Sequence, residues 1–139
     1  MAHRRSSVSY LLDTSALLAL IEDEPGATRV ERLLRDEVVL IPWVALLEVH
    51  YVTARRHNIA EADRRYALLT QMGATVLWDN DERFLLQASR LKATYRLSLA
   101  DSLIAAHGLR HGSLLVHRDP EYRQLADELE LEQLPADQS

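Results

Sequence analysis

Four carboxylates in this sequence stand where a folded protein seldom leaves an acid alone. Asp13 interrupts YLLDTSALLAL, residues 10–20, a run in which eight of eleven residues are apolar or aromatic. Burying a carboxylate there is costly unless a hydrogen bond, an ion pair or a cation compensates it. Glu48 lies in VALLEVHYV, residues 44–52. On a helix its neighbours would include Val44, Ala45, Tyr51 and Val52, and none is basic. Asp101 has Leu97, Ser98, Ile104 and Ala105 in the corresponding places, and Asp119 follows the apolar stretch 114–116. Three of the four have a structural explanation. Asp13 suits the cap of a following helix, Asp119 before Pro120 is another cap signature, and Asp101 three residues after Ser98 fits a capping box. Glu48 has the weakest such explanation. As a set, they call for a shared cation. All-oxygen ligation selects a hard divalent ion, Mg²⁺ or Mn²⁺, which readily takes substrate phosphate as a further ligand. The chemistry indicated is phosphodiester hydrolysis.

An alternating framework must position these acids. Val8 to Leu12 reads as a buried strand, followed by a helix from Thr14 or Ser15 to about Glu22. Pro25-Gly26 breaks the chain before a helix carrying Ala27, Val30, Leu33 and Leu34. Val38 to Ile41 is a strand, and Pro42 opens a long helix to about His57, closed by Asn58. Residues 60–72 form another helix, with Ala62, Tyr66, Leu69 and Met72 on one face and Gly73 as its cap. Ala74 to Trp78 is a strand, and Asp79 or Asn80 caps a helix to about Arg96. Ser98 opens a helix ending at Gly112; Leu114 to Val116 is a strand, Asp119-Pro120 starts a short helix, and residues 129–134 add an edge strand. Apolar strands alternating with helices imply a mostly parallel sheet of four to five strands in a three-layer α/β/α domain. In such sheets ligands bind beyond the carboxyl ends of the strands, which is where Asp13 and Asp119 fall.

The composition narrows the function classes. The chain has 139 residues, 47% hydrophobic and 27% charged, which suits one domain with one core. It has no cysteine, which excludes disulfides and thiolate metal sites and fits a reducing, cytoplasmic setting. A net charge of −5 argues against a protein that coats nucleic acid, though not against an enzyme with a local basic patch. Arg4 and Arg5 precede an apolar stretch, but Asp13 interrupts it and Glu22, Asp23 and Glu24 stand where a leader needs small residues. A secretory leader is therefore rejected, and no stretch is long enough to span a membrane. Residues 1–7 are expected to be a disordered extension and residues 135–139 a frayed tail.

Three stretches together resemble the PIN-domain ribonucleases, of the VapC toxin kind found in toxin–antitoxin pairs. They are YLLDTSALLAL, IPWVALLEV, and LSLADSLIAAHGLRHGSLLVHRDPEY. The resemblance covers about residues 9–134 and implies a PIN-like domain over 8–134. It also implies a Mg²⁺- or Mn²⁺-dependent endoribonuclease, using one or two ions, that cuts RNA and inhibits translation. The family's acidic site carries over to Asp13, Glu48, Asp101 and Asp119. Two residues before the last of these, the family commonly has Thr or Ser, whereas this chain has His117. His117, Thr14 and Ser15 are candidates for orienting water or metal. The resemblance further implies a homodimer and a VapB-like antitoxin, with the second helix and the 42–57 helix as candidate interfaces.

In mechanism, Asp13 and Asp101 are expected to hold the metal directly, with Glu48 and Asp119 acting through water or as general base. Arg55, Arg56, Arg64 and Arg65 are candidates for RNA phosphate; Trp43 and Tyr51 are read as core or dimer contacts before base-stacking ones. Three other readings compete. A phosphoaspartyl enzyme would need an Asp at Ser15 and a late lysine, but the only lysine is Lys92. The second is a degenerate PIN-fold binding module. The third is a metal-independent ribonuclease using His117 with His107 or His111.

Overall fold

The apolar run that holds Asp13 divides into two elements, and the rest of the chain repeats that pattern. The computed structural model describes residues 8–136. The extension expected at 1–7 and the end of the expected tail, 137–139, lie outside the described residues. Strand β1 (Ser9–Leu12) leads to helix α1 (Thr14–Ile21), then α2 (Ala27–Asp36), β2 (Val38–Pro42), α3 (Trp43–Arg56) and α4 (Ile59–Thr70). Next come β3 (Thr75–Leu77), α5 (Glu82–Thr94), α6 (Leu99–His111), β4 (Leu114–His117), a 3₁₀ helix (Pro120–Leu125) and β5 (Leu131–Gln133).

The five strands form one sheet in the order β3-β2-β1-β4-β5. Every pairing is parallel, so helices must cover both faces. The result is a three-layer α/β/α domain. Central β1 pairs Leu11 with Leu40 on one side and Leu115 on the other. Leu11, Leu12 and Leu115 are all fully buried. The strand order reverses at β1, because β2 and β3 extend the sheet one way and β4 and β5 the other. This makes the carboxyl edge between β1 and β4 the topological switch point, the usual place for a ligand crevice. Asp13 continues the ladder there, donating its N–H to the Val116 carbonyl at 3.2 Å. Gly108 lets α6 approach closely, since a Cβ there would meet Leu129 Cδ1 at 3.0 Å. Among the described residues, no helix is long and apolar enough to cross a membrane.

Several local expectations shift. Asn58 does not close α3; His57 does, and Asn58 caps α4 by accepting from the Glu61 N–H. Helix α5 is capped by Asp81, not by Asp79 or Asn80. Asp79 is drawn instead to His111 and Arg110 on α6. The stripe Ala27, Val30 and Leu33 of α2 is buried in the protein's own core, so that stripe is not a free interface. On α4, Ala62 and Leu69 are buried as expected, whereas Tyr66 is exposed, as is Met72, which lies beyond the end of the helix at Thr70. Arg65 takes the buried position between them, on the i, i+3, i+7 stripe. Its guanidinium donates to Glu61 at 3.1 Å, to Glu22 at 3.2 Å and to Thr53 at 3.4 Å. Its aliphatic stem fills core space while its head ties α4 to the end of α1 and to α3.

Arg65→Ala should therefore lower stability by about 2–3 kcal/mol in urea denaturation, through lost packing and lost hydrogen bonds. Arg65→Met, which restores the stem, should recover part of that loss. Equal midpoints for the alanine variant and the wild type would rule out the brace.

Candidate active site

Asp13 occupies the turn between β1 and α1, only 2% exposed. Its Oδ1 accepts from the Ala16 N–H at 2.8 Å, capping α1. The Ser15 hydroxyl lies 2.7 Å and 2.9 Å from the two carboxylate oxygens. Ser15 Oγ in turn accepts the Arg118 N–H at 2.9 Å, which binds this turn to the segment after β4. Both of these donors to the carboxylate are neutral groups. Burial pushes its pKa up to about 7; the Ser15 and Ala16 hydrogen bonds oppose this, and the charges of Asp101 and Asp119 add to it.

The other three acids converge on the same edge from different elements. Glu48, half-buried on α3, accepts from the Thr14 hydroxyl at 2.5 Å. Asp101 sits in the first turn of α6, its N–H donating to Ser98 Oγ at 3.1 Å. Its carboxylate accepts from the Tyr122 hydroxyl at 2.9 Å. Burial raises the Asp101 pKa, Tyr122 opposes the rise, and Asp119 and Glu48 reinforce it. Asp119 caps the 3₁₀ helix, its Oδ1 accepting the Glu121 N–H at 2.9 Å. Carboxylate oxygens of Asp101, Asp119 and Glu121 lie within 4.8 Å of one another. Asp101 thus lies in electrostatic range of the other three acids, and the cluster adds Glu121, an exposed acid that sequence reasoning missed. Its signal was its place two residues beyond Asp119, in the short helical turn that Pro120 begins. Tyr122 was missed as well, because an aromatic among core residues carries no sign that its hydroxyl faces acids.

The remaining candidates divide. Thr14 and Ser15 each hold one of the acids. His117, 1% exposed at the end of β4, packs its ring against Tyr122, with centroids 5.0 Å apart. Its Nδ1 is buried and has no hydrogen-bond partner among the described residues. Burial lowers its pKa, opposed by a hydrogen bond with the Asp119 backbone. His107 and His111 face elsewhere: their Nε2 atoms lie 2.9 Å from the Asp79 carbonyl oxygen and 3.2 Å from Asp79 Oδ2. His107 and His111 thus share Asp79, while His117 packs against Tyr122. Of the arginines, Arg55 lies over the Tyr51 ring and Arg64 is paired with Glu61. Arg65 is the buried brace described above, out of reach of a substrate phosphate. Arg56 is exposed and lines a groove of about 380 Å³ with Ser15, Glu22, Glu24, Arg118 and Asp119. Arg118, also unforeseen, pairs with Glu24 at 2.7 Å on that rim.

An all-parallel α/β/α domain whose switch point gathers carboxylates from four elements defines an acidic-site α/β protein. More narrowly, the PIN domain family matches residues 10–128, and the chain belongs to that family. Solved structures share the fold. One is VapBC2 from Rickettsia felis bound to a promoter DNA fragment, with TM-score 0.76 and 17% identity over 92% of this chain and 100% of that one. VapBC-1 from nontypeable Haemophilus influenzae has TM-score 0.72 and 23% identity over 91% and 98%. VapC20 from Mycobacterium tuberculosis, a sarcin–ricin loop cleaving toxin, has TM-score 0.71 and 19% identity over 91% and 99%. Comparison with curated protein sequences finds none that matches.

A pKa of about 7 for Asp13, against 3.8 ordinarily, means that the native state binds a proton between those pH values that the unfolded chain has released. Without metal, this group therefore favours folding more as pH falls from about 7 toward 4, and opposes it most above 7. Asp13→Asn retains a cap acceptor. At pH 8 in chelator it should be more stable than wild type, on the order of 2 kcal/mol, with the gap closing toward pH 4. Urea midpoints that coincide at pH 8 would contradict this account of Asp13.

Proposed function

We propose that this chain is a Mg²⁺- or Mn²⁺-dependent endoribonuclease toxin of the VapC kind, acting on RNA in the cytoplasm, inhibiting translation and neutralised by a VapB-like antitoxin. The observation that carries this reading is Asp13, a buried carboxylate hydrogen-bonded by neutral donors and facing Asp101 and Asp119. A donor set made of carboxylate oxygens fits a hard divalent cation. Asp13 and Asp101 would hold the ion, one or two in number, with Glu48, Asp119 and Glu121 beside it. Such an ion, when bound, would supply a more acidic water and a positive charge opposite the phosphoryl oxygens. The chain's own residues prepare the site. Ser15 and the Ala16 N–H hold Asp13, Thr14 holds Glu48, and Ser98 fixes the turn that carries Asp101. Glu48 or Asp119 would accept the proton of the attacking water.

Outside the acids, Arg56 is the cation best placed to meet an RNA phosphate, since Arg64 and Arg65 are occupied by carboxylates. The VapBC complexes among the similar structures support an antitoxin partner. A basic segment would suit a groove of this charge. The homodimer is assigned to the exposed apolar side of α3, where Leu47 and Tyr51 lie.

The test is RNA cleavage with Mn²⁺ or Mg²⁺, with and without EDTA. Wild type should cleave only with metal, and folded Asp13→Ala should not cleave. Activity that survives EDTA would overturn the metal-dependent mechanism. Arg56→Ala should raise KM several-fold at unchanged kcat and weaken the salt dependence by roughly one phosphate contact. A salt dependence equal to that of wild type would remove Arg56 from the RNA path.

A further inference from the structure

Tyr122 is fully buried, and its hydroxyl reaches the acid cluster. Its backbone N–H donates to the Asp119 carbonyl at 3.3 Å, so it travels with the turn that carries Asp119 and Glu121. Its ring lies against His117, at 59° and 5.0 Å between centroids. His117 is itself buried at the end of β4, so the Tyr122 ring is confined from one side by the sheet edge. The hydroxyl, 2.9 Å from Asp101 Oδ1, is therefore aimed by rigid elements.

We propose that Tyr122 is a positioning residue for the metal centre, its hydroxyl orienting the Asp101 carboxylate for a divalent cation. The inference rests on the metal-dependent reading above and goes beyond it by naming what sets the affinity. The Ser98 hydroxyl accepts from the backbone N–H of Asp101 and also hydrogen-bonds its side chain, where Tyr122 is the stronger of the two partners. The last torsion of a free aspartate side chain is broad, so its carboxylate plane is poorly defined without an outer partner. Tyr122 supplies the stronger such partner, at Oδ1. A neutral donor suits this task, because a lysine or arginine here would cancel the charge that attracts the metal. Outer partners of this kind typically contribute about 10- to 100-fold in metal affinity.

Calorimetric titration of the full chain with Mn²⁺ tests the proposal, using wild type, Tyr122→Phe and Asp101→Asn. Phenylalanine keeps the ring against His117, so the metal-free Tm should stay within a few degrees of wild type. The Mn²⁺ Kd of Tyr122→Phe should rise about 10-fold or more, and the Mn²⁺ concentration for half-maximal RNA cleavage should rise with it. At saturating Mn²⁺ the KM for RNA should match wild type. A merely structural tyrosine would instead lower the metal-free Tm and leave the Kd alone, which overturns the proposal. So does Mn²⁺ binding by Asp101→Asn at wild-type affinity. If wild type itself takes up no Mn²⁺, the metal-dependent reading fails first and the role of Tyr122 falls with it.

Discussion

A carboxylate buried at the carboxyl edge of the central strand, held by neutral donors, is the constraint on which the rest of this structure depends. Strand β1 must be apolar because sheet and helices enclose it on every side. The chain nonetheless leaves β1 through Asp13, which is 2% exposed and whose pKa burial drives to about 7. Hydrogen bonds from Ser15 and Ala16 reduce that penalty without removing it. Residues that retain such strain without relieving it by a salt bridge are characteristic of functional sites. The neighbouring acids add to the strain, since Asp101 and Asp119 both raise the Asp13 pKa. A divalent cation bound there, as proposed, would relieve these repulsions.

The contacts that stabilise the local fold also aim the acids. Asp13 caps α1, Asp119 caps the 3₁₀ helix, and Ser98 caps α6 through the N–H of Asp101. Capping and site chemistry are therefore not competing explanations of these residues. A cap fixes where the carboxylate stands relative to its helix, and the parallel sheet fixes where the helices start. Thr14 extends the same economy, because it opens α1 and donates to Glu48 on α3. The surrounding cations are mostly committed: Arg118 to Glu24, Arg65 to Glu22 and Glu61, Arg64 to Glu61. That arrangement keeps positive charge on the rim while the centre stays negative.

Much of the fold was legible because its elements are strongly patterned. The strands 8–12, 38–41 and 114–116 are short apolar runs bounded by polar or breaking residues, and they fold as β1, β2 and β4. Parallel pairing followed from their unbroken apolar character. Where local signals were ambiguous, tertiary partners decided. Asp79 is as good a cap as Asp81, but His111 and Arg110, far along the chain, draw it away. Arg65 looked like a surface cation because propensity says nothing of Glu22, forty-three residues earlier. Tyr66 and Met72 looked like core because their spacing is helical, yet α4 stops at Thr70, before Met72, and Tyr66, edge-on to His50, stays exposed.

By itself, then, the sequence determined the alternation of strands and helices and the anomaly of Asp13, Glu48, Asp101 and Asp119. Both are properties of residue type and short-range spacing, and Asp13, Glu48 and Asp101 have no Lys or Arg within four residues on either side. Only the tertiary structure decided that the acids meet at one edge, since Asp13 and Asp101 are brought together by strand order and not by any local rule. It alone recruited Glu121 and the Tyr122 hydroxyl, removed Arg65 from the surface and drew His107 and His111 to Asp79, apart from His117. Those outcomes depend on directions of side chains in space, which no spacing along the chain encodes.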